Sequence, residues 1–271
     1  MSKSLRVRLK ETIFSSSMYA SVLIGLFLLM WSFIFNLVIY NLSVGPLTIK
    51  EMASTFLNDI YVSHARSGFD LFAPILAVLP ATTLFCEDYN SGYIKAILFR
   101  TNKRKYSYET LLCSSIAGGL AVLLPSLISS LFFVIIGEPN LAENLRHGYS
   151  TIFDESFFAS IQFVWGGGLV VIILLVLAFI FGAVWSNIGL CISAVIPNRY
   201  IALAAPFALY FAIHLLLYRI NSLLFLSPVN MLMPIVNFLP NIIYPFAYQG
   251  VLLFITFVLF PKFVGRRCEN V

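Results

Sequence analysis

The side chains that could carry out nucleophilic or metal chemistry are few and widely separated in this sequence. The four cysteines have no spacing typical of a metal site, and they are Cys86, Cys113, Cys191 and Cys268. Neither the His-Glu-x-x-His zinc motif nor the Gly-x-Ser-x-Gly nucleophile motif occurs. The glycine run at 166–168 lacks the Lys and Ser/Thr of a phosphate-binding loop. The sequence therefore predicts a chain that is not an enzyme and holds neither a metal nor a cofactor.

Two ionisable residues remain as candidates for acid–base chemistry. His214 lies inside an apolar run and Glu87 ends another. A membrane-embedded enzyme that uses either residue as a base is one hypothesis, but no second catalytic group lies near either of them in the sequence. A lone His in such a run is more often a hydrogen-bonded packing residue than a proton relay.

The elements that position these residues are long apolar segments. The chain has 271 residues, of which 60% are hydrophobic and 11% are charged, whereas soluble domains carry about 25% charged residues. A soluble enzyme, a nucleic-acid-binding protein and a disordered scaffold are thereby excluded. Since a spanning helix needs about 20 apolar residues, the composition predicts an integral membrane protein with several spans.

The order of the apolar runs predicts an all-α fold in a single transmembrane domain over residues 1–271. Its six predicted spans cover about 18–42, 69–86, 108–137, 160–187, 201–218 and 246–264. A basic N-terminal arm precedes them, and its apolar residues recur at the spacing of an amphipathic surface helix: Leu5, Leu9, Ile13 and Phe14.

Two segments do not fit a regular span. Residues 219–245 contain prolines at intervals of about six residues, which predicts broken or re-entrant helices on the outer side before the last span. Residues 186–196 extend the fourth apolar run beyond the length of one span, so they either continue that helix or form an interfacial helix.

The basic residues predict the orientation of the chain. With the N-terminus inside and six spans, only four of the 17 Lys and Arg residues fall outside: Lys50, Arg66, Arg146 and Arg219. Basic residues favour the cytoplasmic side of a membrane. We therefore expect a multi-pass protein of the cell (plasma) membrane with both termini in the cytoplasm. In this orientation we expect the net charge of +5 to attract membrane lipid and not nucleic acid.

The second cytoplasmic loop, residues 87–107, has the pattern of a short amphipathic helix over Tyr89–Phe99. Aromatic, aliphatic and basic residues recur there at helical spacing, namely Tyr89, Tyr93, Ile94, Ile97, Leu98 and Arg100. Acidic residues near its start and basic residues at its end suit the helix dipole. The helix could rest on anionic lipid or dock into a groove of a cytoplasmic partner.

The spans carry no visible source of energy for transport. Ion-coupled carriers place ionisable groups within the membrane, yet no Asp, Glu, Lys or Arg falls in the middle of a predicted span. The chain is therefore either an energy-independent channel or facilitator, or a subunit of a machine that is powered from outside the membrane.

The loop resembles that of the type-2 ATP-binding-cassette (ABC) exporter permeases. Their pattern is an acidic residue that ends the second span, a Gly, an amphipathic coupling helix and a basic residue, matched here by Glu87, Gly92, Lys95, Ile97, Leu98 and Arg104. The family often has Thr after the Gly and Pro before the basic residue, where this chain has Tyr93 and Thr101. The likeness extends over almost the whole chain, from the N-terminal arm to the broken outer helices.

The resemblance implies partners and residue roles. Two separately encoded ABC ATPase subunits would bind ATP and Mg²⁺, and a second permease copy or paralogue would complete the transporter. The residues implied to couple it to the ATPase are Glu87, Asp88, Gly92, Tyr93, Lys95, Ile97 and Arg104.

The cargo implied by the resemblance is a hydrophobic or amphipathic substrate, such as a drug, an antimicrobial peptide or a lipid-like molecule. It would leave the cell by alternating access through a cavity near the second and fifth spans. The cavity candidates are Phe72, Phe207, Phe211 and His214. Ordinary aromatic core packing is the alternative for each of them.

Overall fold

A computed structural model of the chain describes residues 3–43, 45, 48–58, 67–137, 167–232 and 243–268. Helices make up most of these residues, and none of the described residues lies in a strand. The predicted all-α fold is thereby confirmed. In chain order the helices are α1 (Lys3–Ile13), α2 (Ser16–Ser43), α3 (Ile49–Asn58), α4 (Phe69–Val78), α5 (Leu84–Asn90), α6 (Tyr93–Arg100), α7 (Lys103–Ile136), α8 (Gly167–Val195), α9 (Arg199–Tyr218), α10 (Pro228–Leu232) and α11 (Ile243–Arg267).

Five of these helices are long and apolar enough to cross a membrane, which supports a multi-pass membrane protein. The segments concerned are Ser16–Leu42, Lys103–Ile136, Val171–Val195, Arg199–Tyr218 and Ile243–Arg267. They correspond to the first and to the third to sixth of the predicted spans. The count of six stays a prediction, because the remaining span is not one long helix.

The predicted second span over residues 69–86 is interrupted. Helix α4 has 10 residues and reaches only Val78, after which residues 79–83 form turns before α5 begins. Pro80 lies in these turns, and a proline supplies no backbone N–H to a helix. The predicted second span therefore consists of α4 and the start of α5, joined by turns.

Several other boundaries differ from those predicted. Helix α7 begins at Lys103, so the last residues of the predicted 87–107 loop already belong to it. Helix α8 continues to Val195, which makes residues 186–195 an extension of the fourth span and not a separate interfacial helix.

Within the predicted outer region 219–245, a 3₁₀ helix (Asn221–Leu226) and α10 are described. Residues 233–242, and residues 160–166 of the predicted fourth span, lie outside the described residues. The re-entrant character of this outer region, like the placement of α1 on a membrane surface, stays a prediction.

Helices α7 and α8 pack closely through small residues, as membrane helices do when their backbones approach. Gly118 of α7 and Gly182 of α8 face each other so closely that a Cβ at position 182 would lie 3.0 Å from the Cα of Gly119. Beside them, the Ser114 and Ser186 hydroxyl oxygens are 2.8 Å apart. This contact holds together the two helices around which the others are arranged.

A substitution at the contact tests its importance. We expect Gly182→Leu to lower the free energy of unfolding by about 1–3 kcal/mol, because the added side chain must force the two backbones apart. Gly250→Ala is the matched control, since nothing lies within 4 Å of a Cβ at that helical position. Thermal unfolding of the purified chain in detergent measures both. Equal stability of Gly182→Leu and the wild type would contradict the packing.

Candidate functional site

The segment after α4 contains two short helices and not the single helix predicted over Tyr89–Phe99. Helix α5 ends at Asn90, and α6 begins at Tyr93. Between them, Gly92 has a φ of 73°, a left-handed conformation that glycine adopts without steric cost. The chain therefore turns at Gly92, and Tyr89 and Tyr93 belong to different helices. We refer to α5 and α6 together as the loop pair.

Helix α1 is tied to the loop pair by an ion pair. The Arg8 Nη2 donates to the Asp88 Oδ2 over 2.8 Å, and the two side chains are only 18% and 16% exposed. The Tyr106 hydroxyl donates to the same Asp88 oxygen over 2.8 Å. The Arg8 guanidinium also lies 5.1 Å from the centre of the Tyr106 ring. One carboxylate thus connects α1, α5 and α7.

The charge of Arg8 is stabilised by this arrangement. Burial lowers the pKa of Arg8, but the Asp88 carboxylate and Tyr106 more than offset that effect, so the Arg8 pKa lies above its ordinary value. Arg8 Nη1 also donates to the Thr110 hydroxyl over 3.3 Å. The guanidinium is therefore held by groups on α5 and α7 at once.

The C-terminal end of α11 contacts the loop pair from another direction. The Arg267 guanidinium lies 5.4 Å from the centre of the Tyr89 ring. The Phe85 ring lies 6.0 Å from that of Phe260, edge to face. Nearby, the Lys103 Nζ donates to the Cys268 carbonyl oxygen over 3.0 Å. The N-terminal helix and the end of the last helix therefore meet at one end of the bundle.

The connection between α8 and α9 reaches the same place. The Asn90 amide nitrogen donates to the Pro197 carbonyl oxygen over 3.0 Å. The Cys86 thiol lies 3.9 Å from the carbonyl oxygen of Ser193, which it approaches as a donor. The loop pair is thus held by α1, α7, α8 and α11, and a displacement of it would act on each of these helices.

Helix α6 has an inner and an outer side. Ile94 is 1% exposed, and Ile97 and Leu98 pack half-buried against the same apolar cluster. On the outer side, Tyr93 is 59% exposed and Phe99 is 90% exposed. The described residues therefore leave more than half of each of these two aromatic side chains uncovered.

The seven coupling residues expected from the sequence fall into two groups. Asp88 and Ile97 are turned toward the bundle, where they hold the loop pair in place. The other five are exposed, and they are Glu87, Gly92, Tyr93, Lys95 and Arg104. Asp88 thus holds the loop pair within the chain, which its position in the sequence did not reveal.

The four cavity candidates lie on α4 and α9. Phe72 of α4 is 44% exposed. On α9, the Phe207 and Phe211 rings stack with their centres 6.1 Å apart. The His214 Nδ1 lies 2.8 Å from the Ser227 hydroxyl oxygen, so this His has a hydrogen-bond partner, as the packing alternative expected.

Sequence reasoning did not identify Arg8 and Tyr106 as partners of Asp88. In the sequence, nothing distinguishes Arg8 from the other basic residues of the N-terminal arm. Since 80 residues separate Arg8 from Asp88, no local spacing relates the two. Only the antiparallel return of the chain through α2 and α4 brings them together.

A double-mutant cycle measures the Arg8–Asp88 connection. We expect Arg8→Ala and Asp88→Ala each to lower the free energy of unfolding by about 1–3 kcal/mol, because each leaves a half-buried charge without its counter-ion. The double variant should lose less than the sum, with a coupling energy of about 1–2 kcal/mol. Glu87→Ala, which removes a neighbouring exposed carboxylate, should change stability by less than about 0.5 kcal/mol. Additive losses would show that the pair does not couple α1 to the loop pair.

Comparison with known proteins identified no relative of this chain. The chain matches no protein-family model, no curated protein and no solved structure. The likeness to the type-2 ABC exporter permeases therefore rests on the residues of the loop and on the order of the helices.

Proposed function

We propose that the chain is the membrane-spanning permease subunit of an ATP-driven ABC exporter. The observation that carries the proposal is the construction of the loop pair. Its inner side is fixed to four other helices, while its outer side exposes Tyr93 and Phe99. An exposed aromatic surface on a firmly anchored helix is typical of a docking element.

In this proposal the loop pair transmits the movement of an ATPase to the spans. Two ABC ATPase subunits bind ATP and Mg²⁺ on the cytoplasmic side and contact the outer side of α6. Because Asp88 connects the loop pair to α1 and α7, and Tyr89 connects it to α11, the helices respond together. The chain itself carries out no catalysis, and a second permease copy or paralogue completes the transporter.

The proposed cargo is a hydrophobic or amphipathic molecule that leaves the cell by alternating access. The aromatic side chains of α4 and α9 support such a cargo, because apolar and aromatic walls suit apolar ligands. The proposed location is the cell membrane, with both termini in the cytoplasm. The distribution of basic residues supports this orientation.

Substitutions on the outer side of α6 test the contact with the ATPase. We expect Tyr93→Glu and Phe99→Glu to weaken binding of the ATPase by about tenfold or more, which is about 1.4 kcal/mol, because each places a charge in an apolar contact. The measurement is co-purification of an ABC ATPase with the tagged chain from membranes of its native host, followed by vanadate-sensitive ATP hydrolysis.

Two control variants separate docking from folding. Tyr218→Glu changes a 64%-exposed tyrosine at the opposite end of α9 and should retain the ATPase. Ile94→Glu changes the buried side of α6 and should unfold the loop pair. If Tyr93→Glu and Phe99→Glu both retain the ATPase and its activity, or if the purified chain alone conducts substrate without ATP, the proposal is wrong.

A further inference from the structure

A cleft of about 700 Å³ lies between α1 and the segment that joins α4 to α5. Its volume falls within the range of small-molecule binding sites. We refer to it as the α1 cleft. Charged, aromatic and aliphatic side chains line it, among them Val7, Glu11, Ser17, Leu84, Glu87 and Tyr93.

The α1 cleft carries an excess of negative charge. Arg8 is the only basic residue among the described residues that line it, and its charge is compensated by Asp88. Glu11 and Glu87 are exposed, and their carboxylates form no hydrogen bond or ion pair with a described residue. Two carboxylates therefore face the cleft without a counter-ion, which favours a cationic ligand.

Two of the hydroxyl groups that line the cleft donate to carbonyl oxygens of α1. The Thr12 hydroxyl donates to the Arg8 carbonyl oxygen over 2.8 Å, and the Ser15 hydroxyl donates to the Thr12 carbonyl oxygen over 2.7 Å. These two donors are not free for a ligand. The polar contacts that the cleft offers therefore come chiefly from the Glu11 and Glu87 carboxylates, which suit a positive group.

The remaining walls suit a hydrocarbon chain beside that positive group. Val7 and Leu84 supply aliphatic surface, and the exposed Tyr93 supplies an aromatic ring that can contact a cation. The cleft also includes Ser17, which lies in the first turn of α2, a helix long and apolar enough to cross a membrane. In the predicted orientation, a hydrocarbon chain bound there would extend toward the apolar part of α2.

We propose that the α1 cleft binds an ammonium group carried on a hydrocarbon chain, with Glu11 and Glu87 as its counter-ions. Such a group belongs either to an amine-bearing phospholipid or to a free cationic amphiphile. The proposal does not depend on the exporter function, because it follows from the charges and walls of the cleft alone.

Spin-labelled probes in nanodiscs test the site with the full-length chain. The host lipid is phosphatidylglycerol, which has no ammonium group. The probes carry a nitroxide on the hydrocarbon chain and are phosphatidylethanolamine, octadecyltrimethylammonium and, as the reference, phosphatidylglycerol. Electron paramagnetic resonance gives the immobilised fraction of each. We expect an association constant about tenfold higher for an ammonium probe than for the reference.

This preference would oppose the net charge of +5 on the chain, which by itself attracts anionic lipid. We expect the preference for the ammonium probes to disappear in the double variant Glu11→Gln with Glu87→Gln. We expect the same result for Glu87→Lys. Glu51→Gln is the matched control, because it changes an exposed carboxylate on α3 that is remote from the cleft. Thermal unfolding in detergent verifies that each variant is folded.

The result also identifies the source of the ammonium group. If phosphatidylethanolamine is immobilised by the wild type and released in the double variant, the ligand is a resident lipid. If only octadecyltrimethylammonium is immobilised, the cleft captures a free amphiphile. Equal immobilisation of all three probes overturns the proposal. A preference that survives in the folded double variant overturns it too.

Discussion

The half-buried ion pair between Arg8 and Asp88 is the contact on which the arrangement of this end of the molecule depends. Two charged side chains that are less than one fifth exposed are costly to separate, because each would lose its counter-ion in a largely buried place. The pair therefore fixes α1 against α5. Since Tyr106 donates to the same carboxylate, the start of α7 is included in the same constraint.

This constraint explains how α6 can expose one side while its other side stays packed against the bundle. α6 buries Ile94 in an apolar cluster that also contains Phe260 and Leu190, so its orientation is set by α8 and α11. The aromatic side chains on its other side are left for an external contact. In the proposed mechanism, the close packing of α7 and α8 at Gly118 and Gly182 would carry a displacement of the loop pair further along the two helices, since packed interfaces convert small shifts into rigid-body movements.

The parts of the fold that could be predicted are those that depend on local sequence. The apolar run predicted over 201–218 corresponds to α9 at Arg199–Tyr218, because the length of an apolar segment alone determines such a span. The run over 69–86 was predicted as one span, but the turns that include Pro80 divide it into two helices. The helix over Tyr89–Phe99 failed for a similar reason, because the left-handed turn at Gly92 interrupts a regular spacing. The role of Asp88 was not predictable, since its partner Arg8 lies 80 residues away.

The distance between the outer side of α6 and the opposite end of the bundle tests the central claim most directly. Spin labels at Arg100→Cys, at the end of α6 beside the proposed contact, and at Tyr218→Cys would react selectively, because both positions are exposed and the four native cysteines are buried. With the ATPase bound, addition of ATP and vanadate should shift the distance between the labels by about 2 Å or more, as rigid-body switching movements do. The chain alone should show no shift on addition of ATP. An unchanged distance in the assembled complex, or the same shift without the ATPase, would contradict the account.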